Sequence, residues 1–439
     1  MDRRTFVRRS AAAAGAAALG RALGAPNAAT AQQRAPEAPA PLPDAVQRLR
    51  PVGPPVEPIS DQERLARIEK ARRLMRDAGI GALFLEPGSS MFYYTGVRWG
   101  LSERPFGVVI PAQGELAYVT PAFEEERARE LTKFSNDVRV WQEDESPFAV
   151  IAGILRDRGV ATGRVGIEER VRFFIADGIR REAPQLEYVL ATPVTAGCRM
   201  FKSPAELALM QRANDITIAA YRATFPSLHP GMTQGELARS IAAAMQRLGG
   251  EGGGALVLFG VSSSFPHGTT KPATLKEGDV VLVDGGCSVE GYASDITRTT
   301  VLGRPSQKQR DVWDVEKRAQ TAAFEAAQVG ATCESVDAAA RRVITSAGFG
   351  PDYRLPGTPH RTGHGIGLDG HEWTNFVRGN TTPIQPGMCF SDEPTIVLPG
   401  VFGIRLEDCL YISEDGPRWF SEQSPAIDRP FPPERTRPA

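Results

Sequence analysis

The chain has 439 residues, of which 41% are hydrophobic and 23% are charged, a composition typical of globular proteins. Its length predicts two or three domains. The 51 basic residues balance 52 acidic ones, for a net charge of -1, so the charge gives no reason to expect binding to nucleic acid or to an anionic membrane. The five cysteines are scattered and include no C-x-x-C pair, which argues against a zinc ribbon or a disulfide framework and predicts buried free thiols.

The N-terminal segment has the features of an export signal. Arg3 and Arg4, Phe6, a stretch rich in Ala and Gly, and the pattern Ala29-Thr-Ala are typical of a twin-arginine signal peptide over residues 1–31. This pattern predicts export to the periplasm, with a mitochondrial-type presequence or a disordered basic tail as the alternatives. No mature transmembrane helix is expected, because the longest apolar run lies in the signal itself.

Residues 32–58 contain eight prolines and are predicted to form a linker or a surface arm without helix or sheet. Residues 59–198 are predicted to form a first α/β domain. Ser60 begins an S-x-x-E capping box, apolar residues follow at helical spacing, and Ala82-Leu-Phe-Leu is typical of a buried strand. Short apolar runs and helical segments continue to about residue 190, without a catalytic constellation.

Residues 199–420 are predicted to form the second domain, and residues 421–439 a Pro-rich tail. Capping boxes at Ser203 and Thr233 begin two helices, which we expect to end near residues 225 and 248. Further elements are predicted in chain order: strands at about 255–260, 280–285 and 292–301, helices at about 307–329 and 335–347, and strands at 388–396 and 402–412.

Two acidic hairpins give the first indication of function. In the first, a hairpin centre between residues 289 and 290 predicts that Asp284 lies opposite Asp295. In the second, equal spacing about a Pro-Gly turn predicts that Glu393 lies opposite Glu407. Opposed carboxylates about 5 Å apart repel each other. The two hairpins together therefore predict a bound cation.

A histidine-rich segment lies between these hairpins. His360, His364 and His371 fall within twelve residues of a chain that has five histidines. One imidazole, that of His364, and the four carboxylates form a set that two divalent cations would neutralise. Oxygen-rich ligation favours Mn²⁺, with Zn²⁺, Co²⁺ or Fe²⁺ as alternatives. Two such ions about 3.5–4 Å apart can share a hydroxide and polarise a carbonyl, which predicts hydrolysis.

The motifs D-G-x8-S-D-I-T-R-T, H-R-T-G-H-G-I-G, D-E-P and R-L-E-D together resemble those of the pita-bread metallopeptidases, in particular the Xaa-Pro dipeptidase (prolidase) and aminopeptidase P branch. The resemblance covers about residues 60–415. It implies a mixed α/β (α+β) fold, in which a creatinase-like N-terminal α/β domain precedes a pita-bread domain with a curved antiparallel sheet and flanking helices.

The resemblance also implies a role for each ligand. Asp284 would hold one metal ion, and His364 and Glu393 would hold the other. Asp295 and Glu407 would bridge the two ions. Glu393 would also take the proton from the attacking water.

Further side chains are implied to contact the substrate. His267, in F-P-H-G, and His371 resemble the catalytic histidines that hold the substrate carbonyl and stabilise the tetrahedral intermediate. His360 and Arg405 resemble residues of the substrate pocket. Arg378 is a candidate from its own chemistry, because a guanidinium in the loop before the D-E-P motif could bind the terminal carboxylate of a dipeptide through a bidentate pair.

The sequence departs from the family at Val397, where a Tyr is common four residues beyond the ligand Glu. A hydroxyl donor is therefore missing or supplied elsewhere. The function predicted is a dinuclear-metal Xaa-Pro dipeptidase that acts on peptides with proline at the second position and forms a homodimer. The alternatives are an aminopeptidase P acting on longer peptides, a sulfoniopropionate lyase on the same fold, and a non-catalytic binding module.

Overall fold

The structure is a computed structural model that describes residues 41–433. The signal predicted for residues 1–31 lies outside the described residues, as do residues 32–40 of the arm and residues 434–439 of the tail. No helix within the described range is both long enough and apolar enough to cross a membrane. All five cysteines are buried and unpaired, as predicted.

The Pro-rich arm contains one short helix, α1 (Asp44–Gln47), which the sequence did not predict. Its proline lies at the N-cap, Pro43, where a missing N–H does not interrupt helical hydrogen bonding. The side chain of Val46 is fully buried, and the amide of Val52 donates to the carbonyl of Leu248 at 3.1 Å. The described part of the arm therefore packs against the protein.

The N-terminal domain is built on a six-stranded mixed sheet with the order β4-β3-β2-β1-β5-β6. Its strands are β1 (Ile80–Leu85), β2 (Gly107–Pro111), β3 (Ala117–Pro121), β4 (Val138–Trp141), β5 (Gly163–Ile167) and β6 (Leu186–Leu190). Its helices are α2 (Asp61–Asp77), α3 (Ser89–Thr95), α4 (Glu125–Leu131), α5 (Pro147–Asp157), α6 (Phe173–Glu182) and α7 (Thr192–Arg199).

Both faces of this sheet are covered. Ala82 and Phe84 belong to one hydrophobic core, and Leu83 and Leu85 belong to another on the opposite face. Because strand side chains alternate between faces, a strand buried on both sides is apolar throughout. This explains why Ala82-Leu-Phe-Leu contains no polar residue.

The C-terminal domain contains antiparallel strands and four long helices. One sheet has the order β10-β8-β7, with β9 paired to β8, a second has the order β12-β11-β13-β16-β17, and β14 pairs with β15. The strands are β7 (Glu251–Phe259), β8 (Val280–Val289), β9 (Tyr292–Ala293), β10 (Ile296–Val301), β11 (Gly363–Gly365), β12 (Glu372–Phe376), β13 (Cys389–Asp392), β14 (Thr395–Leu398), β15 (Phe402–Arg405), β16 (Asp408–Ser413) and β17 (Gly416–Trp419).

The helices of this domain are α8 (Pro204–Thr224), α9 (Gln234–Arg247), α10 (Gln307–Ala326) and α11 (Cys333–Ser346). Ser203 and Thr233 form complete capping boxes at the starts of α8 and α9, as predicted. At α2 only half of the box forms, because Ser60 caps the amide of Glu63 while the Glu63 carboxylate binds Arg67 at 2.8 Å. The predicted mixed α/β class, with flanking helices on antiparallel strands, is confirmed.

Three strands that the sequence predicted as continuous are interrupted. The interruptions contain three of the predicted ligands: Asp295 between β9 and β10, Glu393 between β13 and β14, and Glu407 between β15 and β16. At the second interruption Pro394 has no N–H to contribute to a ladder. These three predicted ligands therefore lie where the backbone leaves regular pairing.

The first acidic hairpin does not have the predicted register. Asp284 pairs with Thr297, and the two-residue turn is formed by Glu290 and Gly291. Both turn residues have positive φ, 50° and 85°, as in a type I′ turn whose twist matches the strands. Asp295 is therefore diagonal to Asp284 rather than opposite it.

The second acidic hairpin has the predicted register. Thr395 pairs with Arg405, so that Glu393 and Glu407 each lie two residues beyond this pair. The backbone of Glu407 also pairs with Thr297 of β10, each amide donating to the other residue's carbonyl at 3.2 Å. We call this pair of hydrogen bonds the seam, because it joins the sheet of β10 to the segment between β15 and β16.

Candidate metal centre

A cavity of about 350 Å³ brings the predicted site residues together. Nine of the residues that line it were predicted from the sequence: His267, Asp284, Asp295, His360, His364, His371, Glu393, Arg405 and Glu407. Arg361, the tenth, was not predicted. Arg378 is absent from the lining.

The five predicted ligands form two overlapping groups. Donor atoms of Asp284, Asp295 and Glu407 lie within 4.8 Å of one another, and so do those of His364, Glu393 and Glu407. The Nε2 atom of His364 lies 3.4 Å from Glu393 Oε1 and 3.8 Å from Asp295 Oδ2. Glu407 is common to both groups. This grouping fits two adjacent cations that share a carboxylate.

The imidazole of His364 is oriented as a ligand. Its Nδ1 lies 3.0 Å from the carbonyl of Gly365, to which it can only donate, so the Nε2 lone pair faces the carboxylates. The backbone amide of His364 donates to Ser391 Oγ at 3.0 Å. Burial, together with the adjacent His371, lowers the pKa of His364 to about 3. A neutral imidazole is the form that binds a metal ion.

Three of the four carboxylates are buried close together, in an environment that disfavours their ionised form when no cation is bound. Burial, followed by repulsion from neighbouring carboxylates, raises the pKa of Asp295 and of Glu407 well above the usual range. Burial also raises the pKa of Glu393 to about 7, although Arg405 opposes this. Arg405 is the only arginine paired with the four, through Asp284, among the residues that the structure describes. The residues present therefore fit two divalent cations.

Thr297 is part of this centre and was not singled out in the sequence. Its hydroxyl lies 2.8 Å from Asp284 Oδ1 and 2.7 Å from Glu407 Oε2, and it accepts from Arg405 Nε at 3.0 Å. It can thus orient two predicted ligands that are distant in sequence. Its position two residues after Asp295, within the D-I-T-R-T motif, was the available signal, because side chains two apart on a strand share a face.

Arg361 was also missed. Its Nη2 lies 3.1 Å from Nδ1 of His371, and since a guanidinium only donates, that nitrogen must accept. The proton of His371 is therefore on Nε2. Partial desolvation and then Arg361 lower the pKa of His371, which favours the neutral ring. The rings of His371 and His364 are 4.0 Å apart between centroids.

His360 presents an acceptor to the same cavity. Its Nδ1 donates to the carbonyl of Arg361 at 2.7 Å, which leaves a lone pair on Nε2. That nitrogen is buried and has no hydrogen-bond partner within residues 41–433. Burial lowers the pKa of His360 to about 4, so the ring is neutral. It can accept a hydrogen bond from a bound molecule.

Arg378 does not reach the cavity. Its guanidinium is exposed, forms an ion pair with Asp352 and lies 5.7 Å from the Tyr353 ring. It lines a different cavity, which has a volume of about 560 Å³. The structure therefore gives no support to Arg378 as a substrate-binding residue: the loop turns it toward Asp352 instead.

Val397 lies away from the centre as well. Its side chain is 1% exposed, and its backbone exchanges hydrogen bonds with Gly357 at 2.9 and 3.1 Å. Val397 is not among the residues that line the site cavity. Val397 therefore supplies no group to the cavity in place of the hydroxyl that a Tyr would carry.

Comparison with known proteins yields two family models in succession. Residues 67–201 match the creatinase/prolidase N-terminal domain, and residues 208–414 match metallopeptidase family M24. The first match runs from within α2 to just beyond α7, and the second runs from within α8 to just past the end of β16.

The chain is similar to several peptidases over most of its length. It is 36% identical to an uncharacterized peptidase of Schizosaccharomyces pombe, with 85% of this chain and 87% of the relative covered. It is 31% identical to an Xaa-Pro dipeptidase of Lactobacillus helveticus, with 81% and 96% covered. The crystal structure of dipeptidase PepE from Mycobacterium ulcerans superposes with a TM-score of 0.78 at 32% identity and covers 84% of this chain and 98% of that one.

Proposed function

Because this chain belongs to metallopeptidase family M24 and is a hydrolase, we propose that it cleaves Xaa-Pro dipeptides. One observation carries the proposal. A single cavity holds candidate ligands for two cations, three further imidazoles, and a guanidinium that has no carboxylate partner among residues 41–433. Its volume of about 350 Å³ lies near the lower end of the roughly 300–1,000 Å³ typical of small-ligand sites. This size favours a short substrate.

We propose that Asp284, Asp295, His364, Glu393 and Glu407 hold two divalent cations, with Mn²⁺ preferred because four of the five ligands are carboxylates. When bound, such cations would supply a water of lowered pKa and a Lewis acid for the scissile carbonyl. Chelation should abolish hydrolysis. Among divalent ions at equal free concentration, Mn²⁺ should restore it best, and full activity in rigorously metal-free protein would exclude the proposal.

The remaining chemistry falls to side chains of the cavity. Glu393 lines the cavity and would accept the proton of the attacking water. His371 would donate from Nε2 to the carbonyl oxygen as negative charge develops there, and His267 lines the same cavity. His360 would accept a hydrogen bond from the substrate through its free Nε2.

Arg361 replaces Arg378 as our candidate for binding the terminal carboxylate of a dipeptide. It lines the cavity and forms no ion pair with any carboxylate in the described residues, whereas the other cavity arginine, Arg405, is paired with Asp284. A longer peptide has no carboxylate at that position. This difference would favour dipeptides over longer Xaa-Pro peptides.

The decisive experiment compares substrates with Mn²⁺-reconstituted protein. Ala-Pro should be hydrolysed with a kcat/KM at least tenfold above that of Ala-Ala and of Ala-Pro-Gly-Gly. Equal turnover of Ala-Pro and Ala-Ala would contradict specificity for proline. A preference for the tetrapeptide would instead assign the chain to the aminopeptidase P activity.

We also propose that the protein acts in the periplasm. The proposal rests on the twin-arginine pattern at Arg3 and Arg4 and the small-residue pattern ending at Ala31. Fusing residues 1–31 to a reporter should direct its export through the twin-arginine pathway. Replacing both arginines by Lys should retain the reporter in the cytoplasm, and export that ignores this change would contradict the proposal.

A further inference from the structure

A network of buried charges connects the N-terminal domain to the segment that carries His371. The His371 ring is itself exposed at the cavity. Its immediate neighbour Glu372 is buried, and Asp369, two residues earlier, is half-buried. Arginine or lysine side chains from outside this segment bind both carboxylates.

Glu372 is fixed by two cations at the junction of the domains. Its Oε2 binds Lys202 Nζ at 3.0 Å, its Oε1 pairs with Arg199 at the end of α7, and the exposed fraction of each of these three side chains is 1–2%. Oε1 also accepts from the amide of Asp369 at 3.1 Å. Burial alone would raise the pKa of Glu372, but Lys202 and Arg199 outweigh it and lower that pKa to about 2. Glu372 is therefore ionised.

Asp369 is held by the N-terminal domain on both oxygens. Oδ2 binds Arg199 at 2.7 Å, while Oδ1 accepts from Ser89 Oγ at 2.6 Å and from Arg170 at 2.7 Å. Arg199 also donates to Ser90 Oγ at 2.9 Å, which fixes the guanidinium in the N-terminal domain. One arginine thus holds both carboxylates that bracket His371.

The His371 ring has few contacts of its own. Within the described residues its ring has one hydrogen bond, from Arg361, and one ring contact, with His364. The segment also contains Gly367 and Gly370, whose backbones are intrinsically permissive. Misplacing a catalytic group by about 1 Å can cost on the order of a hundredfold in rate.

We propose that Arg199 and Asp369 are positioning residues, through which the N-terminal domain holds His371 against the substrate carbonyl. The inference rests on the proposed function in that His371 acts on the substrate during hydrolysis. It goes beyond that function because it assigns part of the catalytic geometry to a domain that contributes no side chain to the cavity.

The test uses Asp369→Asn in the full-length, Mn²⁺-loaded protein. The substitution keeps the shape of the side chain but removes its charge and places an NH₂ group against Arg199 or Arg170. We expect kcat for Ala-Pro to fall at least tenfold, KM to change less than threefold, and two metal ions to remain bound. In a His371→Ala background the same substitution should change kcat less than twofold, because its effect passes through His371.

Glu86→Gln is the matched control. Glu86 is a buried carboxylate of the N-terminal domain that pairs with an arginine, Arg172, and it makes no contact with the His371 segment in the described structure. It should lower the thermal stability by a similar amount and leave kcat unchanged. If Asp369→Asn does not fold, Ser89→Ala removes one hydrogen bond to the same carboxylate and should show a smaller fall in kcat with the same dependence on His371.

Hydrogen exchange supplies a readout that needs no substrate. Asp369→Asn should increase amide exchange in residues 366–371, and Glu86→Gln should not. Unchanged exchange in Asp369→Asn would overturn this proposal, whether or not the protein cleaves Xaa-Pro peptides. Absence of Xaa-Pro cleavage is a separate result, and it would refute the proposed function. An equal loss of kcat with and without His371, or no loss at all, would also overturn the proposed role of Asp369.

Discussion

The hydroxyl of Thr297 lies between two carboxylates of the metal centre, Asp284 and Glu407. Groups that orient metal ligands typically contribute about 10–100-fold to affinity. Thr297→Val should therefore weaken divalent-ion binding by about that factor, as measured by competition with a chelator. The fold should persist, because Val has the same shape and the same preference for a strand.

Thr300→Val is the control for this prediction. Thr300 lies on the same strand, and its buried hydroxyl donates to the carbonyl of Ile427 at 2.6 Å, away from the centre. It should cost similar stability without changing metal affinity. Equal losses of affinity in Thr300→Val and Thr297→Val would show that the effect is a general loosening of β10.

Substitutions of Arg361 and Arg378 provide a second variant with its matched control. Arg361→Gln should lower kcat/KM for Ala-Pro by about ten- to a hundredfold, the worth of a charge-assisted hydrogen bond of roughly 1.5–3 kcal/mol. The loss for Ala-Pro-Gly-Gly should be smaller, because that peptide lacks the carboxylate. Arg378→Gln should change neither value, since Arg378 pairs with Asp352 outside the cavity. Equal losses for both peptides would mean that Arg361 acts only through His371.

At the scale of elements, the hairpin β14–β15 determines how Glu393 and Glu407 meet. Gly400 at its turn has φ of 72° and no atom within 4 Å of an added Cβ, so Gly400→Ala should cost only the left-handed strain, about 1–2 kcal/mol. At Gly403 an added Cβ would lie 2.2 Å from the carbonyl oxygen of Ser263. Gly403→Ala should therefore cost about 3 kcal/mol or more and displace β15.

Thermal unfolding and metal titration distinguish these two variants. Gly400→Ala should keep two metal ions with nearly normal affinity. Gly403→Ala should lose affinity as well as stability, because displacement of β15 moves Glu407 relative to Glu393. Retention of normal metal affinity in Gly403→Ala would show that the hairpin register does not govern the site.

The hairpins also show what the sequence could and could not predict. The first register was wrong because the turn lies one residue later than expected, at Glu290 and Gly291. Moving a hairpin centre by one residue changes each pairing by two, and residues two apart share a face. Asp284 and Asp295 therefore still converge. The strand interruptions at the ligands were not predicted, since hydrophobic periodicity continues across them.

At the scale of the whole molecule, stability should depend on pH in opposite ways with and without metal. Burial raises the pKa of Glu393 from 4.5 to about 7, and Asp295 and Glu407 shift in the same direction. A carboxyl whose folded pKa is raised stabilises the fold fully below its unfolded pKa, near pH 4.5, and this contribution is lost as pH rises through about 7. Metal-free protein should therefore lose stability between about pH 5 and pH 8.

Differential scanning calorimetry can test this sign. The Tm of chelated protein should fall by several degrees over that range, while the Mn²⁺-loaded protein should hold or rise, because ionised carboxylates bind cations more strongly. The difference between the two forms should be largest near pH 8. A metal-free Tm that rises with pH would contradict the crowding of carboxylates in the cavity.

The features of the site that the sequence could not predict depend on contacts between residues far apart in the chain. The five candidate ligands could be grouped from the sequence because each stands in a short motif with fixed spacing. Arg378 was proposed from the sequence and Arg361 was not, because no local pattern shows which loop faces a cavity. The ion pairs of Arg199 with Asp369 and Glu372 join residues about 170 positions apart, and nothing in either segment alone indicates them.

Glu407 has two structural roles. Its backbone forms the seam with β10, and its carboxylate belongs to both groups of candidate ligands. Without cations, repulsion among the carboxylates acts directly on the residue that joins the sheets. The adjoining β14–β15 turn, where Val401 is 45% exposed, should then become more accessible to a protease. The rate of proteolytic cleavage near this turn would therefore report metal occupancy in cell extracts. This measurement needs no peptide substrate.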